Sequence, residues 1–244
     1  MLKDRRLLVA IALVALLVLI SVRFIGPRMH VLVPPRAANS AQYMLYVHVP
    51  ERCRSAPCPA LYILDGGRWL GTFTQLTEEL AARHAMAPII LVGVGYPAIP
   101  GFSGQRQRDF TSGAGAYLSA LKRDIIPFAQ SHLPIDTNWR GIVAYKDAAA
   151  LAAYALAHAP DAFDAYLIVS PSTAPSALFT GSQKPHTVAL AGAFSDMQRM
   201  RQLGGVLLSD PNMSVSQSLY PNKAGDAIVE PAARAALPTL FPDP

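Results

Sequence analysis

The segment 140–157 constrains the fold more than any other. Residues 140–143 form a short run that reads as a buried strand, and 148–157 is a stretch of Ala, Leu and Tyr with high helix propensity. Between them stand Ala144, Tyr145, Lys146, Asp147 and Ala148, so a strand passes through a sharp turn directly into a helix. Such a turn lifts one side chain above the edge of a sheet, and small residues on either side let strand and helix approach closely. The alternation recurs along the chain. Strands read at 43–49, 61–64, 89–94, 141–144, 166–169 and 187–190, with a last one near 215–220; helices read at 69–84, 114–132, 148–157, 196–208 and 231–241. This order predicts an α/β sandwich with a mostly parallel central sheet flanked by helices. Nothing between Thr111 and Gly113 reads as a large lid.

Several short motifs occur in a fixed order: Leu61-Tyr62-Ile63-Leu64-Asp65-Gly66-Gly67, then Ile89 to Tyr96, then Arg106-Gln107-Arg108-Asp109-Phe110-Thr111. After these come Asp124-Ile125-Ile126-Pro127, the turn at Lys146, and Pro160 to Tyr166 leading into Ser170-Pro171-Ser172. With this ordered set the chain resembles the Putative esterase family of α/β hydrolases from about Tyr43 to Phe241, and within it the siderophore esterase branch. The resemblance implies an α/β-hydrolase fold and a serine at the turn, in a Gly-x-Ser-x-Gly motif. Here Lys146 takes the place of that nucleophile, with Ala144 and Ala148 in place of the glycines. The family histidine, about five residues before the proline of the last helix, falls on Asp226 when counted from Pro231, and residues 187–244 contain no histidine. The acid member corresponds to Asp196. A carboxylate without its histidine orients no general base, and nucleophile and base act as a unit, so the resemblance implies a body without acyl-enzyme chemistry of the usual kind.

Other readings of these residues stand beside that one. Asp147 as nucleophile needs the tip position and a histidine to activate water; Lys146 as base or amine nucleophile needs burial or a second cation to lower its pKa. Ser103, Ser112, Ser170 and Ser172 are further hydroxyls, none with a histidine close in sequence. Asp196 also suits a helix cap. Asp65-Gly66-Gly67 corresponds to the loop that donates an oxyanion-hole amide in the family, or is a plain tight turn. Arg68, Arg106 and Arg108, read as loop residues near the mouth of the site, suit an anionic ligand or ordinary contacts with Asp109 and loop carbonyls. With Tyr145, Lys146 and Asp147 they make up the candidate binding set.

The N-terminus carries a second signal. Residues 1–6 include Lys3, Arg5 and Arg6, an uncharged apolar run follows from Leu7 to Val22, and Arg23 closes it. At 1.5 Å per residue the run spans about 24 Å, and Phe24 and Ile25 extend it toward a hydrocarbon core of about 30 Å. No small-x-small cleavage site stands after it, so the segment reads as an uncleaved signal anchor rather than a cleaved signal peptide, with the basic end inside. The organisation expected is a cytoplasmic N-terminus at 1–6, a transmembrane helix at 7–25, a linker or first edge strand at 26–40, and an α/β-hydrolase-like domain at 41–244. The expected location is a bacterial inner membrane, single-pass, with the C-terminal domain periplasmic. Cys53 and Cys58, the only two cysteines, bracket a short connection between two strands and suit a disulfide in an oxidising compartment.

The net charge of +5 is concentrated partly around the membrane segment, and no helix carries a basic face, so nucleic acid is not an expected partner. Roughly 215 residues follow the anchor, which suits one domain with a sizeable core. The histidines at 30, 48, 84, 132, 158 and 186 show no metal-ligand spacing, so neither metal nor cofactor is expected. The leading expectation is a membrane-anchored esterase homologue that binds an anionic small molecule or an envelope protein without cleaving it. The alternatives are an active periplasmic esterase on a siderophore or other ester, and a structural subunit of an envelope complex.

Overall fold

The computed structural model describes residues 29–33, 42–97, 103–173 and 182–243. The expected cytoplasmic end (1–6) and anchor (7–25) lie outside these residues, as does the linker 26–40 apart from 29–33. No helix among the described residues is long and apolar enough to cross a membrane.

The elements run in the order β1 (Met29–Val33), β2 (Tyr43–His48), β3 (Cys58–Leu64), α1 (Gly66–Ala82), β4 (Ile90–Gly95), α2 (Ser103–Phe110) and α3 (Ala114–Ala120). There follow α4 (Ile126–His132), β5 (Ile135–Tyr145), α5 (Asp147–His158), β6 (Ala165–Val169), β7 (His186–Gly192), α6 (Met197–Leu207), β8 (Met213–Leu219) and α7 (Val229–Leu240). The eight strands form one sheet in the order β1-β2-β4-β3-β5-β6-β7-β8. Pairs β1/β2 and β2/β4 are antiparallel; every later pair is parallel. The α/β-hydrolase-like architecture expected from the sequence is therefore present.

Strand pleat explains why β3, β4 and β6 read as unbroken apolar runs. Successive side chains point to opposite faces, and helices cover both faces. Leu61 and Ile63 join Trp69, Phe73 and Leu76 of α1 and Leu237 of α7 in one buried cluster. Tyr62 and Leu64 face the other way into a cluster with Tyr117, Leu121, Leu151 and Met200, from the α3, α5 and α6 side.

Three expectations change. The single helix read at 114–132 contains a π turn at Leu121–Ile125, just before Pro127, whose ring nitrogen cannot donate to the helical ladder. Strand β5 starts at Ile135, well before the expected residue 141; Ile135 pairs with Cys58 and pairing resumes at Arg140 with Ala60. The extra residues between include Asp136, whose carboxylate accepts the Asn138 N–H at 2.9 Å, and their polarity hid the strand. Third, residues 103–110, read as loop, are helix α2.

Cys53 and Cys58 form the expected disulfide, with Cα atoms 5.5 Å apart. At the same amino edge of the parallel strands, buried His186 opens β7 and its Nε2 lies 2.7 Å from Ser182 Oγ. Burial holds the His186 pKa below the ordinary histidine value, and nearby Lys184 acts in the same direction. The unfolded chain therefore takes up this proton more readily than the folded one. The contribution to stability is complete above about pH 6.5 and is lost as pH falls from there toward the folded-state pKa, at up to about 1.4 kcal/mol per pH unit. Urea titrations at pH 7 and pH 5 should show stability falling with pH in the native protein and falling less in His186→Gln; equal falls would place the dependence elsewhere.

Candidate functional site at the carboxyl edge of the sheet

The loops that follow β3, β4 and β5 meet above the carboxyl ends of the parallel strands, where open α/β sheets place their ligands. Lys146 occupies the tip of the turn between β5 and α5, with φ 55° and ψ −116°. A positive φ at a residue with a Cβ costs on the order of 1–3 kcal/mol, so the surrounding structure must hold it. It does so through the Lys146 N–H, which donates to the Val169 carbonyl at 3.0 Å, and through the Lys146 carbonyl, which accepts from Ala149 N–H at 3.0 Å. Ala144 and Ala148, both buried, leave room for strand and helix to close on each other. The turn is thus built as the sequence predicts, and it presents an exposed lysine.

Asp65 follows β3 and is also held at positive φ (56°). Arg106 on α2 clamps its carboxylate with two hydrogen bonds of 2.7 Å, from Nε and Nη2. The Asp65 carboxylate holds the Arg106 pKa above the usual arginine range. Behind this loop Gly66 lies against the β4 backbone: a Cβ there would come within 2.3 Å of Gly93 Cα and C. The N-terminus of α1 is thereby seated directly on the sheet edge.

Lys146 stands between two cavities. The larger, about 500 Å³, is bordered by Tyr46, Asp65, Gly67, Arg68, Gly95, Tyr96, Arg106, Tyr145, Lys146 and Asp147. The smaller, about 280 Å³, shares Tyr145, Lys146 and Asp147 and adds Ser170, Ser172, Ser195, Asp196 and Arg199 among its walls. Of the expected binding set, Asp65, Gly67, Arg68, Arg106, Tyr145, Lys146 and Asp147 meet at the larger cavity. Gly66 serves packing behind it. Arg108 borders neither cavity; it is exposed on α2, and its carbonyl accepts the Gly113 N–H at 2.7 Å. The expectation that Arg68, Arg106 and Arg108 sit on loops is corrected: all three are helical, Arg68 in the first turn of α1. Tyr46 and Tyr96 were not anticipated. Tyr96 directly follows β4, and its place just past a strand end is a signal that could have found it, whereas Tyr46 lies within a strand and carried no such signal.

Asp196 sits at the N-cap of α6, but its side chain makes no capping hydrogen bond to the helix backbone. Oδ2 accepts from Ala193 N–H at 2.9 Å and Oδ1 from Arg199, whose Nε also donates to the Pro171 carbonyl at 2.9 Å. Asp226 is ion-paired with Arg68. None of the described histidine side chains borders either cavity. His48 pairs with Glu78, His84 with Asp243, and His132 and His158 stack on Phe128 and Tyr154 within their own helices. Ser170 and Ser172 border the smaller cavity; Ser112 borders neither, and the side chain of Ser103 lies outside the described residues.

A strand-turn-helix elbow on a parallel sheet, facing a helix N-terminus seated on a glycine, defines the body of an α/β hydrolase. Residues 38–218 match the family described as Putative esterase, and the chain belongs to that family. It is 26% identical over 155 residues to the ferri-bacillibactin esterase BesA of Bacillus subtilis, covering 54% of each chain. It is 28% identical over 130 residues to a siderophore triacetylfusarinine C esterase of Aspergillus fumigatus, covering 48% of this chain and 44% of the other. The chain thus spans about half the length of the curated relatives it matches. Among solved structures it is similar to the BES protein from Bacillus cereus, with TM-score 0.76 and 19% identity over 89% of this chain and 96% of that one. It is also similar to an IroE-like serine hydrolase from Shewanella oneidensis, with TM-score 0.75 and 16% identity over 88% and 80% of the two chains.

Proposed function

We propose that this protein is a ligand-binding homologue of the siderophore esterases that does not run serine-esterase chemistry. The observation that carries this reading is Lys146 at the tip of the elbow, with no imidazole among the described residues bordering either cavity. An ammonium there cannot open an ester through an activated hydroxyl, and the carboxylate at Asp196 is already engaged by Ala193 and Arg199. The second reading, an active esterase, is favoured by a different observation. The N-termini of α1 and α5 both start at the larger cavity, an arrangement suited to a developing oxyanion, and Ser170 and Ser172 lie next to it.

Intact-mass analysis of the full chain in detergent after a reactive fluorophosphonate, beside a chromogenic ester assay, separates the two. No adduct and no turnover is the expected result. One stoichiometric adduct with turnover would overturn the non-catalytic reading, and peptide mapping would then locate the nucleophile.

The domain is further proposed to face the periplasm from an inner-membrane anchor at residues 7–25. The charge pattern of that segment and the disulfide at Cys53 and Cys58 support this, since disulfides persist in oxidising compartments. Release of the full chain from membranes by an alkaline carbonate wash would rule the anchor out.

A further inference from the structure

We propose that the larger cavity binds a small aryl carboxylate, with its carboxylate on Lys146 and its ring among the tyrosines. This rests on the non-catalytic reading above. Among the described residues, three of the four cations bordering the two cavities are already matched: Arg106 by Asp65, Arg68 by Asp226 and Arg199 by Asp196. Lys146 forms no ion pair with any described carboxylate; its ammonium lies over the Tyr145 ring, 5.1 Å from the centroid. Asp147 is adjacent in sequence and opens α5, where a carboxylate is favoured by the helix dipole. The N-termini of α1, a helix of 17 residues, and α5, of 12, add partial positive charge of roughly half a unit each, so the field at the cavity favours a single negative charge.

An independent observation points to a ligand. The hydroxyl of Tyr145, a residue only 6% exposed, has no hydrogen-bond partner among the described residues, and Tyr145 borders both cavities. Ser170 Oγ, on a residue 7% exposed in the wall of the smaller cavity, is in the same position. Buried hydroxyls are seldom left without a partner, because losing water without replacing its hydrogen bond is costly. Tyr145 shares the wall of the larger cavity with Lys146, and Ser170 shares the wall of the smaller one with both.

Chemistry narrows the class. The substrate of a serine esterase is neutral at its reacting carbonyl, and its negative charge is transient. A fixed ammonium at the same place is complementary to a charge that stays, as on a carboxylate. A phosphate dianion fits less well, because it would bring two charges to one free cation beside the Asp147 carboxylate, where bidentate arginine is the usual partner. Tyr46, Tyr96 and Tyr145 supply ring walls around a volume of about 500 Å³, which suits a flat aromatic body.

Isothermal titration of the full chain in detergent with sodium benzoate, sodium acetate and inorganic phosphate tests the assignment. Benzoate should bind, acetate more weakly, and phosphate more weakly than benzoate. Lys146→Gln should weaken benzoate by roughly tenfold or more, the scale of one charge-assisted hydrogen bond, and Lys146→Arg should restore most of it. Tyr145→Phe should weaken benzoate by a few-fold without lowering the thermal midpoint, since its hydroxyl has no partner among the described residues to lose. Absence of benzoate binding, equal binding by Lys146→Gln, or tighter binding of phosphate would each overturn the assignment. Any of these with no fluorophosphonate adduct would leave the non-catalytic reading standing; an adduct with ester turnover would overturn both.

Discussion

Replacing Gly66 with alanine is expected to destabilise the fold by about 3 kcal/mol or more, at or beyond the upper end of ordinary overpacking. An added Cβ would lie 2.3 Å from Gly93 C and Cα and 2.6 Å from Val94 N, and these are backbone atoms of β4 that no rotamer change can move. Strand β4 is hydrogen-bonded on both sides, to β2 and to β3, so relief requires the start of α1 to lift from the sheet. The same movement would displace Asp65 and Gly67 from the cavity wall. Urea unfolding of the full chain measures the loss, and a value below about 1 kcal/mol would mean that α1 is seated far more loosely than its contacts indicate. Gly205 on α6 is the internal control. A Cβ there meets nothing within 4 Å, and Gly→Ala in a helix should stabilise by roughly 0.5–1 kcal/mol.

Arg106→Leu is the second large effect. Removing one partner of a buried pair costs about 3–5 kcal/mol, because it strands the remaining charge. The Asp65 side chain is 15% exposed but that of Arg106 is 40% exposed, so solvent screening lowers the expected loss to about 2–3 kcal/mol. The guanidinium carbon also lies 4.9 Å from the Phe110 ring centroid, and leucine retains part of that apolar contact. If the loss comes from the stranded carboxylate, Asp65→Asn combined with Arg106→Leu should recover most of it, and the double-mutant cycle would report a coupling above about 1 kcal/mol. Additive losses would show that Arg106 acts through packing alone.

Helix α2 shows why part of the site was not legible in the chain. Its sequence is Ser-Gly-Gln-Arg-Gln-Arg-Asp-Phe, and among its described side chains it buries only Gln105, Asp109 and Phe110, so it lacks the apolar stripe that marks a helix before folding. Its stability comes from tertiary partners: Asp109 accepts hydrogen bonds from the hydroxyls of Tyr43 and Tyr96, both at 3.1 Å. Arg106 was nominated from its motif, yet its partner Asp65 lies 41 residues earlier, and Arg68 finds Asp226 across 158 residues. The polar first half of β5 was missed for a related reason, since a strand that bulges away from its neighbour has no alternating burial to betray it.

The sequence by itself determined the βα order, the mostly parallel sheet, the disulfide and a lysine-tipped elbow after β5. These follow from short-range facts: which residues are apolar on both faces, where small residues permit a tight turn, and how few residues separate the two cysteines. Only the tertiary structure decided which charges cancel. Ion pairing depends on distances between side chains far apart in the chain, so the matching of Arg106, Arg68 and Arg199, and with it the unmatched ammonium of Lys146 beside a buried hydroxyl, emerged only once the sheet had brought its loops together.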